Sequence, residues 1–432
     1  MSPGTAAWEA LLGVATVAFT QPSSVLFRQL LCAWILCPGR HTVTGMLRVR
    51  LHKHGPAHDA FHRFVREGAW RLPNLWRCLA QVLVRSFYVG DGVVALDLDD
   101  TLFHKSGRKV EGAGIFRDAV RSTGKRVVYA LGLNVVVLTL RVCPPWGGEP
   151  LGLPINARLY RKGGPTRLQL AKAMLEEVST WFPNRRFNLA CDGAYASLAG
   201  EDLPRTHVTS RMRRDAALYE LPPPRKKGRR GRPRKKGRRL PTPEEIAQTT
   251  TVGWRRTTVI ERGKSVTRLL LCRPVLWYQV RRDQPVLLVV VRDPEGHQHD
   301  DFFFSTNLQT APELVAGHYA GRWSIEDTFR NDKQFLGAEH PQTWRKWGPE
   351  RAAALSLWIY SAVWLWYIPN HGARPSWPSL PWYPQKRTPS FADALARLRR
   401  TLWQDGFFGE STSRPLLHKI PRPILDLLTY AA

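Results

Sequence analysis

Residues 92–101 read Gly-Val-Val-Ala-Leu-Asp-Leu-Asp-Asp-Thr, and the fold turns on how that stretch is interpreted. Val93 to Leu96 are apolar and largely β-branched, the composition of a buried strand, and they lead directly into acids, so the reading is a strand with carboxylates at its C-terminal end. Working outward, Arg126–Leu131 and Val135–Leu138 are two further apolar runs broken by Gly132 and Asn134, which predict consecutive antiparallel strands. Ala171, Met174, Leu175, Val178, Trp181 and Phe182 then fall at helical spacing, and Pro183 stops that helix. Phe187-Asn188-Leu189-Ala190-Cys191 is the next strand, and it too delivers an acid, Asp192. Strands, helix, strand and acid in this order predict an α/β layer.

The flanks differ in composition. Residues 1–90 read as helical, with apolar clusters at Val25–Leu36 and Leu72–Val84 separated by a basic, His-containing stretch at Arg48–His54. A DNA-binding region and a helical bundle packed on the next domain are both open there. Residues 222–243, PPPRKKGRRGRPRKKGRRLPTP, cannot bury a core, and disorder is expected in the absence of a partner. Beyond them Thr249–Ile260, Ser265–Cys272, Val275–Val280 and Pro285–Val291 predict short strands, so that 205–300 forms a β-rich insertion, and helical periodicity resumes at Pro312. The expected plan is 1–90 helical, 91–204 first part of the core, 205–300 insertion with the basic loop 222–243, 301–370 second part of the core, and 371–432 a C-terminal region. Ala352–Ile368 is nearly free of polar side chains but sits at the short limit for a bilayer span of ~20 residues. With Trp358, Trp364 and Trp366 inside the run, it reads as a buried core helix and no membrane partner is expected.

A chain of 432 residues favours two or three structural units. Sixty-four Lys and Arg against 35 Asp and Glu leave a formal charge of +29, which points to a polyanionic partner, nucleic acid first. The six Cys are scattered without a C-x-x-C pair, which argues against a zinc module or a disulfide scaffold. The N-terminus lacks a secretory pattern, so a cytoplasmic, nucleoid-associated location is expected.

Cutting a phosphodiester needs an activated oxygen nucleophile and a stabilised leaving oxygen, which two divalent cations held by carboxylates can supply. Asp100 and Asp192 each end a predicted strand, although an Asp there also serves as an ordinary turn residue or cap. In His318-Tyr319-Ala320-Gly321-Arg322-Trp323-Ser324-Ile325-Glu326, continued to Lys333 and a helix stop at Gly337, Tyr319, Arg322, Glu326 and Lys333 recur at one helix face. That face can be a metal ligand beside phosphate-binding groups, or a solvated surface laced with ion pairs.

The pattern Y-x2-R-x3-E-x6-K formed by those four residues, within RWSIEDTFRNDKQFLG, resembles the Y-R-E-K signature of bacterial insertion-sequence transposases of the DDE type. LDLDDT, ending in Asp100-Thr101, resembles their first-Asp strand, and CDGAYA, with Asp192, their second; the resemblance spans roughly residues 90 to 340. It implies an RNase H-like catalytic core interrupted by a β-rich insertion, with helical N- and C-terminal regions. It further implies two Mg²⁺, with Mn²⁺ able to substitute, held by Asp100, Asp192 and Glu326. Tyr319, Arg322 and Lys333 would hold DNA phosphates, and Trp323 would stack on a displaced base or belong to the core. Adjacent strand residues face opposite ways, so one of Asp99 and Asp100 faces the metals; the acid-then-Thr match favours Asp100. The implied activity is cleavage at element ends and strand transfer into target DNA by a homodimer. An endonuclease without strand transfer and an inactive transposase-derived DNA-binding protein are the alternatives. Arg230-Gly231-Arg232-Pro233 resembles the core of an AT-hook, which lays arginines in a narrow minor groove; generic phosphate attraction is the competing reading.

Overall fold

A computed structural model of the chain describes residues 2–49, 55–90, 92–223, 234–378, 381–405 and 422–430. Its centre is a ten-stranded sheet: β1 (Val94–His104), β2 (Gly114–Arg117), β3 (Tyr129–Val142), β4 (Leu151–Tyr160), β5 (Phe187–Cys191), β6 (Thr206–Arg211), β7 (Arg255–Glu261), β8 (Lys264–Val275), β9 (Val286–Arg292) and β10 (Asp301–Ser305). The strand order is β2-β3-β1-β5-β6-β10-β9-β8-β7, with β4 also paired to β3. β1 runs antiparallel to β3 and parallel to β5, and β6 is parallel to β5. The strands of the expected insertion extend this sheet, because β10 adds antiparallel to β6 and β9, β8 and β7 follow.

Three local expectations are corrected. The runs around Gly132 and Asn134 are one strand, β3, and not two. Gly132 is needed there because a Cβ would lie 2.4 Å from the Phe103 carbonyl oxygen of β1, and Asn134 is consumed in a side-chain bond across to β1. β1 does not end at its acids: it continues to His104, while its partner β5 stops where Cys191 meets Leu98, so Asp99 and Asp100 lie just beyond the end of β5. Helix also appears before Pro312, within the insertion. Thr242 caps α7 (Pro243–Thr249) by accepting from Glu245 N at 3.2 Å, and the Glu245 carboxylate accepts from Thr242 N at 2.8 Å, a reciprocal box that T-P-E-E encodes.

The remaining helices are α1 (Pro3–Val14), α2 (Gln21–Leu36), α3 (Val43–Leu47), α4 (His58–Glu67), α5 (Leu72–Phe87), α6 (Arg167–Trp181), α8 (Pro312–Gly321), α9 (Ser324–Phe335), α10 (Gly348–His371), α11 (Phe391–Gln404) and α12 (Arg422–Tyr430). α10 is apolar on all sides because it is covered on all sides: it lies on β4 and is wrapped by α1, α4, α5 and α11. It is long and apolar enough to cross a membrane, but 94% of its apolar window is buried within the protein. Its one buried cation, Arg351, donates to the carbonyls of Gly68 (2.9 Å) and Trp70 (2.5 Å) and stacks on the Trp70 ring. The helices of both chain ends therefore share one bundle, tied to the core by bonds such as Trp34 Nε1 to Leu336 O at 2.7 Å.

Candidate active site

β1 presents its acids to the two faces of the sheet in alternation, and α9 covers the face that carries Asp97 and Asp99. Asp97, wholly buried, accepts from Arg141 of β3 through both carboxylate oxygens and from Ser324 Oγ at 3.3 Å. Thr328 Oγ1 donates to Gly152 O at 2.6 Å, one turn further along α9. These bonds fix the start of α9 against β1, β3 and β4 and so set where Glu326 stands. Two residues beyond Asp97, Asp99 accepts from Arg322 Nη1 at 2.5 Å, and Arg322 Nη2 donates to Glu326 at 2.9 Å.

Arg322 is thus the shared counter-charge of an acid from the central strand and an acid from α9. Asp192, at the end of β5, completes the group: its negative charge acts on Asp99, on Glu326 and on Arg322. Burial, opposed by Arg322 and reinforced by Asp100 and Asp192, pushes the Asp99 carboxyl up to about 7. Burial also raises that of Glu326, against the pull of Arg322. Asp100 is held by a different set of partners. Its oxygens accept from Asn134 Nδ2 (2.6 Å), Tyr195 Oη (2.8 Å) and Arg167 Nη1 (3.1 Å) at the start of α6. The acid that shares an arginine with Glu326 is Asp99, and the acid-then-Thr match did not distinguish this.

The Y-R-E-K residues do not lie on one continuous helix. The α ladder gives way between α8 and α9, where Arg322 N, Trp323 N, Ile325 N and Glu326 N bond three residues back rather than four, at 3.0–3.3 Å. A Cβ at Gly321 would lie 2.7 Å from Arg141 Nη1, so the break falls where the chain packs against the buried Asp97–Arg141 pair. Tyr319 therefore ends up on α8, stacked on Phe303 at 4.4 Å, whereas Glu326 and Lys333 share α9. Lys333 Nζ donates to Leu102 O at 2.8 Å, and burial lowers its pKa. Gly337, with φ of +54°, ends α9 as expected. Trp323 is 38% exposed, with the guanidinium of Arg262 4.0 Å above its ring. Arg230 and Arg232 lie outside the described residues.

A groove of about 910 Å³ runs from Asp99, Asp100, Asp192 and Glu326 along α9 to Lys333 and His104, with both cations (Arg117, Arg121, Arg330) and further acids (Asp118, Asp327, Glu339) on its walls. At its far end His104 stands between Asp118 and Glu339, 2.8 Å from each. The donor chemistry at its near end suits hard divalent cations: three carboxylates, two of them with their charged form disfavoured, gathered around one positive charge. Among the described residues no three His, Cys, Asp or Glu side chains already stand as a metal-holding set, and it is Arg322 that lies between Asp99 and Glu326. A cation entering there would take over the charge balance that Arg322 now provides.

A mixed sheet whose central strand, its parallel neighbour and a late helix bring acids to one groove is an arrangement suited to metal-assisted phosphodiester chemistry. A family model described as DDE superfamily endonuclease matches residues 19–266, more than half of the chain, and the protein belongs to that family. The matched stretch holds Asp99, Asp100 and Asp192 and ends in β8, before α9 begins. Membership implies an RNase H-like core, phosphodiester hydrolysis and a DNA substrate, and such nucleases typically use divalent metal ions. A search among curated proteins found no match.

Proposed function

We propose that the protein is a DNA transposase of the insertion-sequence type, cleaving DNA at the ends of its element and transferring the ends to a target. The observation that carries this reading is the gathering of Asp99, Asp192 and Glu326 around Arg322 at the head of a groove that also carries Arg117, Arg121, Arg330 and Lys333. In this proposal those three acids are the metal ligands. Asp99 takes the place that the acid-then-Thr match assigns to Asp100, because Asp99 lies on the face covered by α9 and Asp100 is already saturated by Asn134, Tyr195 and Arg167. Asp99, Asp192 and Glu326 would hold two Mg²⁺ ions, whose chemistry when bound would be to activate an oxygen nucleophile and stabilise the leaving oxygen.

The chain's own residues do the rest. With Asp99 and Glu326 as metal ligands, Arg322 would be available for a bidentate contact to a DNA phosphate. Lys333, Arg330, Arg117 and Arg121 line the path of the backbone along α9, and Tyr319 buttresses Arg322, whose guanidinium carbon lies 5.5 Å from its ring centre. Trp323 offers a ring face to an unstacked base. The formal charge of +29 and the basic stretch 222–243 supply salt-dependent attraction to DNA, with Arg230 and Arg232 as minor-groove candidates. Since two element ends must meet, a homodimer on DNA is part of the proposal.

The test is incubation of the purified protein with DNA from the borders of its own coding element, with Mg²⁺ or with EDTA, comparing wild type with Asp192→Asn and Glu326→Gln. Metal-dependent cleavage lost in both variants, with DNA binding retained, and joined products carrying a defined target duplication are expected. Cleavage without joined products would reduce the activity to that of an endonuclease. Undiminished cleavage by Glu326→Gln would refute the ligand assignment.

A further inference from the structure

β7 and β8 form a hairpin whose last pair is Glu261 with Lys264, leaving a two-residue loop, Arg262-Gly263. Both loop residues have positive φ, +49° and +75°, the arrangement of a type I′ turn, which favours Asn, Asp or Gly at its first position. An arginine there sits in a backbone conformation that L side chains rarely adopt, and such strain persists where the surroundings enforce it. Here they do. A Cβ on Gly263 would lie 1.9 Å from the Gly148 carbonyl oxygen, so the tip of the hairpin is pinned against the loop that leads into β4.

That pinning aims Arg262. Its guanidinium carbon lies 4.0 Å from the centre of the Trp323 ring, and its charge acts on Glu326, opposing part of the rise that burial imposes on that carboxyl. Among the described residues it has no carboxylate partner, although the neighbouring Arg268 is held by Glu261 and Asp293. An unneutralised guanidinium held over an aromatic face is restricted in its motion, so it can meet a phosphate at small entropic cost, which is how arginine is used against phosphate. It also lines a second, smaller cavity with Tyr319, Arg322 and Trp323, on the side of the α8–α9 break away from Lys333.

We propose that Arg262 is a further DNA-phosphate-binding residue of this site, carried on the β7–β8 hairpin and positioned by Trp323, gripping the strand on the opposite side of the cut from Lys333. The proposal rests on the reading of the groove as a DNA-cleavage site. It makes the insertion a part of the substrate-binding surface and not merely an extension of the sheet.

The experiment uses Arg262→Asn and Arg262→Lys in the full chain, with a short fluorescein-labelled duplex from the element border, titrated at several salt concentrations and assayed for Mg²⁺-dependent cleavage. Asn relaxes the turn, so Arg262→Asn is expected to melt no lower than wild type. It is also expected to bind roughly ten- to hundredfold more weakly, with a slope of log K against log salt shallower by about 0.9, the value for one neutralised phosphate. Arg262→Lys, still charged but without the guanidinium, should keep the slope and lose part of the affinity. Unchanged affinity and slope in a folded Arg262→Asn would overturn the proposal while Asp192→Asn still reports on the cleavage site. Failure of the wild type to bind or cut the duplex would instead remove the underlying reading, and this proposal with it.

Discussion

Asp332 offers a sharp test of how α9 is held. It is fully buried between α9 and α10, its Oδ1 has no hydrogen-bond partner, and its Oδ2 lies 3.2 Å from Ser356 Oγ. Ser356 Oγ also lies 2.9 Å from the Ala353 carbonyl oxygen, and its single proton can serve only one of the two acceptors. If the proton goes to Ala353, a protonated Asp332 satisfies the hydroxyl by donating to it. Burial accordingly raises the Asp332 carboxyl well above its ordinary value. The folded state keeps a proton that the unfolded chain, with a carboxyl near 3.9, has lost. Stability must therefore fall as pH rises from about 4 towards the folded value, by about 1.4 kcal/mol per pH unit, until the folded carboxyl itself ionises. Asp332→Asn is isosteric, neutral at every pH and able to donate to Ser356. It should match wild type near pH 4 and exceed it progressively as pH rises, by about 1.4 kcal/mol for each unit until the folded carboxyl ionises. Urea midpoints or pulse proteolysis of both proteins at three pH values measure the difference. A constant offset, independent of pH, would mean that Asp332 is ionised in the folded protein and would refute the reasoning.

Further outcomes follow from the site and its supports. Asp97→Ala should cost about 3–5 kcal/mol by leaving Arg141 buried and unpaired, and the double replacement Asp97→Leu with Arg141→Met should recover much of it, as a double-mutant cycle in urea would show. Asp99→Asn should lower metal-dependent cleavage on the order of 10²–10³-fold. Asp100→Asn, which keeps an acceptor for Tyr195, should cost markedly less, and the reverse order in a cleavage assay would return the ligand role to Asp100. Deleting residues 224–239 should weaken DNA binding and flatten its salt dependence by about 0.9 for each phosphate the segment neutralises, with cleavage at low salt retained; an unchanged slope would show that the segment does not touch DNA.

What the sequence by itself determined is what local chemistry encodes. The apolar run that starts at Val94 had to be a strand, Asp192 had to follow the strand Phe187–Cys191, Pro183 had to end α6, and a Trp-rich run at Ala352–Ile368 in so cationic a chain belonged inside the protein. Gly337 marked the end of α9 because a left-handed residue was needed there. The T-P-E-E box at α7 was equally legible, but the β-rich pattern around it masked the helix. Only the tertiary structure decided the rest. Strand alternation says that Asp99 and Asp100 point opposite ways, but which of them shares Arg322 with Glu326 depends on how α9 is seated, and that is set by the bonds of Asp97 to Arg141 and Ser324, which lie 44 and 227 residues further along the chain. A periodicity of three and four allowed Tyr319, Arg322, Glu326 and Lys333 one helix; the close approach of Gly321 to Arg141 broke it. Arg262 carries no local signal at all, since its position is set by Gly263 against Gly148, more than a hundred residues upstream, and by a ring on another element. Periodicity and capping are properties of neighbours along the chain, whereas the site is made by neighbours in space.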